Sequence, residues 1–386
     1  MTTTELAPSI AEVTNRARAV AARLPARAAD IEAARRLPAD LLSDLLAAGT
    51  FRVLLPQSHG GSEATLMEAL ALYELLATAD PATGWTVMIG ATGWCDLARL
   101  PRSSFDALFG SPATPIVAGA FAPTGTIVPI DGGYELTGRW AFASGCEHAT
   151  HFFANAVEGF VDGHPSMRMS VLDADAVEIE DTWDVIGLRG TGSHHVNTTG
   201  ARIASDRTFV PLVDPPCIDT PIVRIPTPAV FALAIASVAI GTARGALDTA
   251  SEFAHRRVPL LDASPLATDA HFHHDLARAD AGLGAARSLI FDVAGRLWNR
   301  ADGGAEASLH ERARARAAAV WATETALATT EFAYRAGGGG AVYDDNPLQR
   351  RLRDMHALTQ HFLVRPNTFV VAGGVLAGQG LSVPVF

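Results

Sequence analysis

The spacing of hydrophobic and polar positions changes period twice along this chain. In the first third the period is helical. Leu41, Leu42, Leu45 and Leu46 share one face between Pro38, at a first helical position, and Gly49, a stop signal. Leu70, Tyr73 and Leu76 predict a second helix over 66–77, and a third begins near Ser103. In the middle third the period drops to two. Tyr134, Leu136, Trp140 and Phe142 fall on one face of a predicted strand, with Glu135, Thr137 and Arg139 on the other. Asp131-Gly132-Gly133 reads as a hairpin turn joining this strand to 126–130, and further strands are predicted at 152–157, 168–172, 177–179 and 196–203. The short turns between them predict an antiparallel β-domain rather than a βαβ array. The helical period then returns. Pro226 and Pro228 open an apolar helix whose Gly241 and Gly245 permit close helix contact. Leu276, Leu283, Ile290 and Leu297 mark a second helix, 311–335 a third and 347–363 a fourth, together an up-and-down four-helix bundle. The expectation is an α+β protein in three parts: an N-terminal α-helical domain over 1–112, a middle β-domain over 113–222 and a C-terminal helical bundle over 223–386.

Composition narrows the function classes. The chain has 386 residues, 48% of them hydrophobic, enough for a large buried core. A formal charge of −11 argues against nucleic acid and anionic membrane as partners. The apolar run from Ala229 to Ile240 is too short to span a bilayer and reads as a buried helix. Three cysteines, Cys95, Cys146 and Cys217, do not make a disulfide framework, and no secretory signal is visible; both point to the cytoplasm.

Several sites are missing from the sequence. No G-x-G-x-x-G follows a predicted strand; the run Gly337–Gly340 follows a helix instead. There is no Walker A sequence and no G-x-S-x-G elbow. His271, His273 and His274 lack acidic or cysteine partners at ligand spacing, so no metal site is expected. The stretch from Gly138 to His148 carries the most chemistry. A bulky aromatic strand end, followed by the short hydroxyl of Ser144 in a tight turn, suits a flat planar ligand; it also fits an ordinary strand end with a core tryptophan.

The α–β–α order, the Tyr-x-Leu-Thr-Gly-x-Trp strand over 134–140 and the terminal bundle together resemble the acyl-CoA dehydrogenase superfamily. They resemble most its two-component, class D flavin-dependent monooxygenases. The resemblance covers nearly the whole chain. It is carried by Phe121-Ala122-Pro123, by 138–148, by Trp183–Ser193 (WDVIGLRGTGS) and by the stretch from Pro347-Leu348-Gln349-Arg350 through Arg353-Asp354 to His361. It implies an acyl-CoA dehydrogenase-like fold that holds flavin between the β-domain and the bundle, in a homotetramer or homodimer. Phe121, Ala122 and Pro123 would line the isoalloxazine. Trp140, Phe142 and Ser144 would pack on it and hydrogen-bond it. Arg257, which from the residues alone reads as an exposed helix end, stands where the family often places a phosphate-binding Arg and would bind the flavin phosphate. Gly338 and Gly339 would belong to the same cofactor site.

The superfamily divides on one requirement. Acyl-CoA dehydrogenases need a carboxylate base, usually a Glu late in the bundle. This chain has no Glu after Glu331, and the corresponding segment reads His361-Phe362-Leu363-Val364. The resemblance therefore implies an oxygenase that uses reduced flavin (FMNH₂ or FADH₂) and O₂, by way of a C4a-hydroperoxyflavin, on a small aromatic or heteroaromatic substrate. Its flavin would come reduced from a separate NAD(P)H:flavin reductase. His361, expected in the last bundle helix, would donate to the peroxide or accept a substrate proton, with Ser144 beside it. Many relatives carry a second His where this chain has Thr92, the third expected catalytic position. Thr cannot act as a base at neutral pH, which disfavours phenolate formation and suits an indole, an amine or a sulfur heterocycle. The alternatives are an acyl-CoA dehydrogenase-like flavoenzyme with Glu252 as base, and a non-catalytic flavin or ligand carrier.

Overall fold

The structure is a computed structural model that describes residues 7–111, 114–260 and 262–380; the expected boundary at 112/113 lies outside the described residues. The N-terminal part contains α1 (Ile10–Ala21), α2 (Leu24–Ala34), α3 (Ala39–Ala48), α4 (Leu66–Ala79), α5 (Pro81–Thr92), α6 (Trp94–Leu97) and α7 (Arg102–Phe109). Ser9 with Glu12 and Thr65 with Glu68 form reciprocal capping boxes that start α1 and α4. Asp80 caps α5, whose Pro81 occupies the first turn.

The strands follow as β1 (Val117–Ile130), β2 (Gly133–Trp140), β3 (His151–Val161), β4 (His164–Asp173), β5 (Glu178–Glu180), β6 (His195–Ala204) and β7 (Thr208–Phe209). They form a sheet in the order β5-β6-β2-β1-β3-β4-β7. The β1–β2 hairpin is the expected one, with Ile130 opposite Gly133. The sheet is not wholly antiparallel, because β1 and β3 pair in parallel. The segment 141–150 carries the chain from β2 across β1, so β3 runs against β2 and therefore along β1. That crossing segment holds Ser144.

After α8 (Pro221–Arg224) come α9 (Thr227–Arg256), α10 (Ala270–Asp302), α11 (Leu309–Gly337), α12 (Pro347–Leu358) and α13 (Asn367–Leu376). Three of these are long, at 30, 33 and 29 residues, and the fourth expected helix is shorter than expected. It ends at Leu358, not Leu363. Pro366 forces the preceding Arg365 into an extended conformation (φ −72°, ψ 146°), and a turn separates α12 from α13. By length and composition α9 could cross a membrane, but 94% of its apolar window is buried inside the fold. It packs on α4 on one side and α11 on the other, joining the N-terminal part to the bundle.

Gly241 makes the α4–α9 contact possible. A Cβ there would lie 2.3 Å from the Glu74 carbonyl oxygen and 2.9 Å from the Ala77 Cβ. Elsewhere in a helix Gly→Ala gains about 1 kcal/mol of propensity, whereas forced overpacking costs roughly 1–3 kcal/mol. Both obstacles are on a rigid helix, so packing wins. Gly241→Ala is expected to lower stability by about 1–2 kcal/mol, seen as a lower denaturant midpoint at unchanged slope.

Candidate active site

Ser144 sits in the turn after β2. The amides of Ala143 and Gly145 donate to the carbonyls of His194 (3.0 Å) and Thr191 (2.8 Å), tying this turn to the 183–194 loop. The Ser144 hydroxyl accepts from the Trp85 indole Nε1 at 3.0 Å and pairs with the Ser193 Oγ at 2.7 Å. Ser193 pairs in turn with the Thr191 Oγ1 at 2.6 Å, and Thr191 donates to the Leu188 carbonyl at 2.8 Å. Trp85 lies on α5 and meets His361 edge-on, with ring centroids 5.6 Å apart at 66°. Residues far apart in sequence thus form one cluster: Trp85, Ser144, Ser193 and His361.

His361 does not sit on a bundle helix. It begins the short 3-10 turn Phe362–Val364, and its Nδ1 accepts the Leu363 amide at 3.3 Å. With Nδ1 accepting, the neutral ring carries its proton on Nε2. Burial, reinforced by the positive charges of Arg316 and Arg365, pushes its pKa down to about 4. At neutral pH His361 is therefore an uncharged donor through Nε2.

The strand's aromatic pair is separated. Trp140 is buried at 1% exposure in the core against the sheet, and its Nε1 donates to the Asn155 carbonyl at 2.8 Å. It is the core tryptophan of a strand end. Phe142 follows the end of β2 with φ 66°, which turns it away from Trp140; it is 68% exposed, with Trp183 and His195 edge-on beside it. Phe121 turns inward against Phe153 and Phe231, while Ala122 and Pro123 are exposed where the β1–β3 register shifts between Ala120 and Gly125.

Thr92 does not join the cluster. It ends α5, fully buried, and its hydroxyl pairs with Tyr73 at 3.2 Å. Seven residues separate it from Trp85, so it lies on the same helix face about 10 Å further along. Arg257, Gly338 and Gly339 form a second group. Arg257 ends α9, and its Nη1 donates to the Ala336 carbonyl at 2.5 Å. Gly338 has φ 60°, and a Cβ there would strike the Arg257 guanidinium at 2.2 Å; a Cβ on Gly339 would meet open space. Among the described residues Arg257 makes no ion pair, which leaves its charge available to an anion.

Trp85 is the residue the sequence reading missed. Asp354, part of the motif on α12 but given no role there, accepts the Leu188 amide at 2.6 Å and so holds the 183–194 loop from behind. A Cβ at Gly187 would lie 2.0 Å from the Arg353 carbonyl oxygen, so loop and helix touch backbone to backbone.

These groups fit a flavin. A planar heteroaromatic ring with a polar edge is matched by the exposed face of Phe142, by the hydroxyl of Ser144 and by the buried His195 Nδ1, which has no hydrogen-bond partner among the described residues. A phosphate is matched by Arg257 beside the open Gly338–Gly339 turn.

Comparison with known proteins agrees. Residues 10–99 match the family model "Acyl-CoA dehydrogenase, N-terminal domain", and residues 233–366 match "Acyl-CoA dehydrogenase, C-terminal domain". The oxygenase subunit HsaA of a flavin-dependent monooxygenase from Rhodococcus jostii is 31% identical, over 90% of this chain and 93% of its own. An indole-3-acetate monooxygenase from Pseudomonas putida is 28% identical, over 92% and 90%. The structure of XiaF from Streptomyces in complex with FADH2 and glycerol superposes with a TM-score of 0.91 at 25% identity, covering 98% of each chain. The chain belongs to the acyl-CoA dehydrogenase superfamily, in its branch of flavin-dependent monooxygenase oxygenase components.

Proposed function

We propose that this chain oxygenates a small, largely apolar aromatic or heteroaromatic substrate, indole-like rather than phenol-like, with flavin delivered reduced by a separate reductase. The observation that carries the reading is the Trp85–Ser144–His361 cluster beside the exposed Phe142. Reduced flavin, when bound, supplies the two electrons with which O₂ gives one oxygen atom to the substrate and one to water. The protein's own contribution is to orient and to exclude water. His361 presents its Nε2–H as a fixed donor, its ring held by Trp85 and by the Leu363 amide. Ser144 and Phe142 would hold the ring, and Arg257 with Gly338 and Gly339 would hold the phosphate.

The preference for indole over phenol follows from the missing base. Thr92 is sealed against Tyr73, and His361, with its pKa near 4 and Nδ1 engaged, is a poor proton acceptor at neutral pH. An electron-rich ring that needs no deprotonation suits such a site. The dehydrogenase alternative lacks support, since Glu252 is exposed near the end of α9. We further infer a homo-oligomer, a tetramer or a dimer, as the family resemblance implies. A cytoplasmic setting fits Cys95 and Cys146, both buried and free.

The test supplies purified protein with FMN or FAD, a flavin reductase, NADH and ¹⁸O₂. Indole and phenol panels are screened by mass spectrometry. Incorporation of one labelled oxygen into indoles, with little into phenols, is the expected result. Desaturation of an acyl-CoA thioester with no oxygen incorporated would overturn the proposal.

A further inference from the structure

We infer that a one-way chain of hydrogen bonds, Trp85 to Ser144 to Ser193 to Thr191 to the Leu188 carbonyl, fixes Ser144 as an acceptor and thereby selects the reduced state of the flavin. The inference rests on the reading above that the flavin ring lies against Ser144. Trp85, Ser193 and Thr191 become positioning residues, acting through Ser144.

The direction follows from counting protons. An indole N–H can only donate, and a carbonyl can only accept. Each hydroxyl has one proton. The Leu188 carbonyl takes three donors, the Thr191 hydroxyl at 2.8 Å, the Thr191 amide at 3.1 Å and the Trp183 indole at 3.0 Å; a carbonyl has no proton to give, so the Thr191 hydroxyl at that distance donates to it and accepts from Ser193 at 2.6 Å. Ser193 has then spent its proton and must accept from Ser144 at 2.7 Å. Ser144 also accepts from Trp85 at 3.0 Å. It keeps one lone pair and no proton. Exposures of 8%, 3% and 1% for Ser144, Ser193 and Thr191 leave little water to substitute for a broken link. Reversing any link would set two lone pairs against each other or strand a buried group.

Oxidised and reduced flavin differ at the atom that meets such a hydroxyl. Oxidised N5 is a bare lone pair and calls for a donor. Reduced N5 carries a hydrogen and calls for an acceptor. A free serine would rotate to serve either state. Ser144, with its proton committed to Ser193, serves only the reduced one. Such a device suits an enzyme that receives flavin reduced and must release it oxidised.

The experiment measures dissociation constants for oxidised flavin in air and for photoreduced flavin under nitrogen, by fluorescence and equilibrium dialysis, without turnover. In Ser193→Ala the Ser144 proton is released. In Thr191→Val, Ser193 turns its proton onto Ser144, which again frees the Ser144 proton. Both variants are expected to lower the ratio of oxidised to reduced dissociation constants by about five- to ten-fold, the size of one hydrogen bond. Ser193→Thr, which keeps the hydroxyl, is expected to restore it. A purely structural role would weaken both states equally and leave the ratio unchanged. An unchanged ratio in both Ser193→Ala and Thr191→Val overturns the inference. Failure of the wild type to bind either state, or equal binding by wild type and Ser144→Ala, instead overturns the flavin reading itself.

Discussion

Replacing His361 with Ala is expected to cut product formed per reduced flavin by about ten- to a hundred-fold while O₂ consumption continues and hydrogen peroxide appears in its place. The magnitude is that of losing one preorganised donor or acid–base group in a water-poor site. The Nε2–H is the one polar atom His361 presents beyond its own backbone contacts, since Nδ1 is held by Leu363. His361→Gln, which keeps a donor in reach, should recover part of the coupling. The pH dependence separates a donor from a base. With the folded pKa near 4, a donor role predicts coupling that is flat from about pH 5.5 upward, whereas a titrating base would give a step near neutrality. The same depressed pKa has a stability consequence. The unfolded chain takes up the His361 proton at its ordinary pKa and the folded chain does not, so stability is full above about pH 6.5 and is lost as pH falls toward 4. His361→Ala should remove that part of the acid sensitivity. A product-to-peroxide ratio unchanged in His361→Ala would rule out the assignment.

Much of the architecture was legible because period is a property of local sequence. The switch from helical to alternating spacing and back predicted the α–β–α order, and the motif residues Ser144 and His361 each touch Trp85. What the pattern could not show has definite causes. Trp85 lies on α5, which is buried nearly all round, so no apolar stripe marks which face is special. Its partner Ser144 is 59 residues away. Strict alternation placed Phe142 with Trp140, but parity holds only inside a strand. The chain leaves β2 at Trp140 and takes a positive φ at Phe142. Thr92 was placed by alignment with a family position, and alignment carries no information about the Tyr73 hydroxyl that occupies it. The helix reading over 347–363 ran past Leu358, where the bonding tightens, the Gln360 and His361 amides donating three residues back to the Ala357 and Leu358 carbonyls, and the helix ends.

Asp354→Ala is expected to lower stability by about 2–3 kcal/mol at pH 5, and Asp354→Asn by under about 1 kcal/mol, because only Ala strands the buried Leu188 amide. The two variants should then diverge from wild type with pH in a way that identifies the cause. Asp354 is 5% exposed, and burial, reinforced by Asp80 and Glu32 and opposed by the Leu188 amide and Arg350, raises its pKa to about 7. A carboxyl whose folded pKa is raised holds its proton in the folded state after the unfolded chain has lost it. Wild-type stability therefore falls as pH rises from about 4 to about 7, the opposite sense to His361. Asn has no proton to lose. Relative to wild type, Asp354→Asn should gain about 2 kcal/mol between pH 5 and pH 8, measured by urea unfolding at each pH. A pH-independent difference would mean that Asp354 stays ionised throughout, with the Leu188 amide outweighing burial. The functional reach of this contact is through the loop. Leu188 receives the last hydrogen bond of the chain that begins at Trp85, and Gly187 has no room to shift against Arg353. A loosened Leu188 in Asp354→Ala should therefore lower the ratio of oxidised to reduced flavin dissociation constants, as Ser193→Ala does, whereas Asp354→Asn should leave it unchanged.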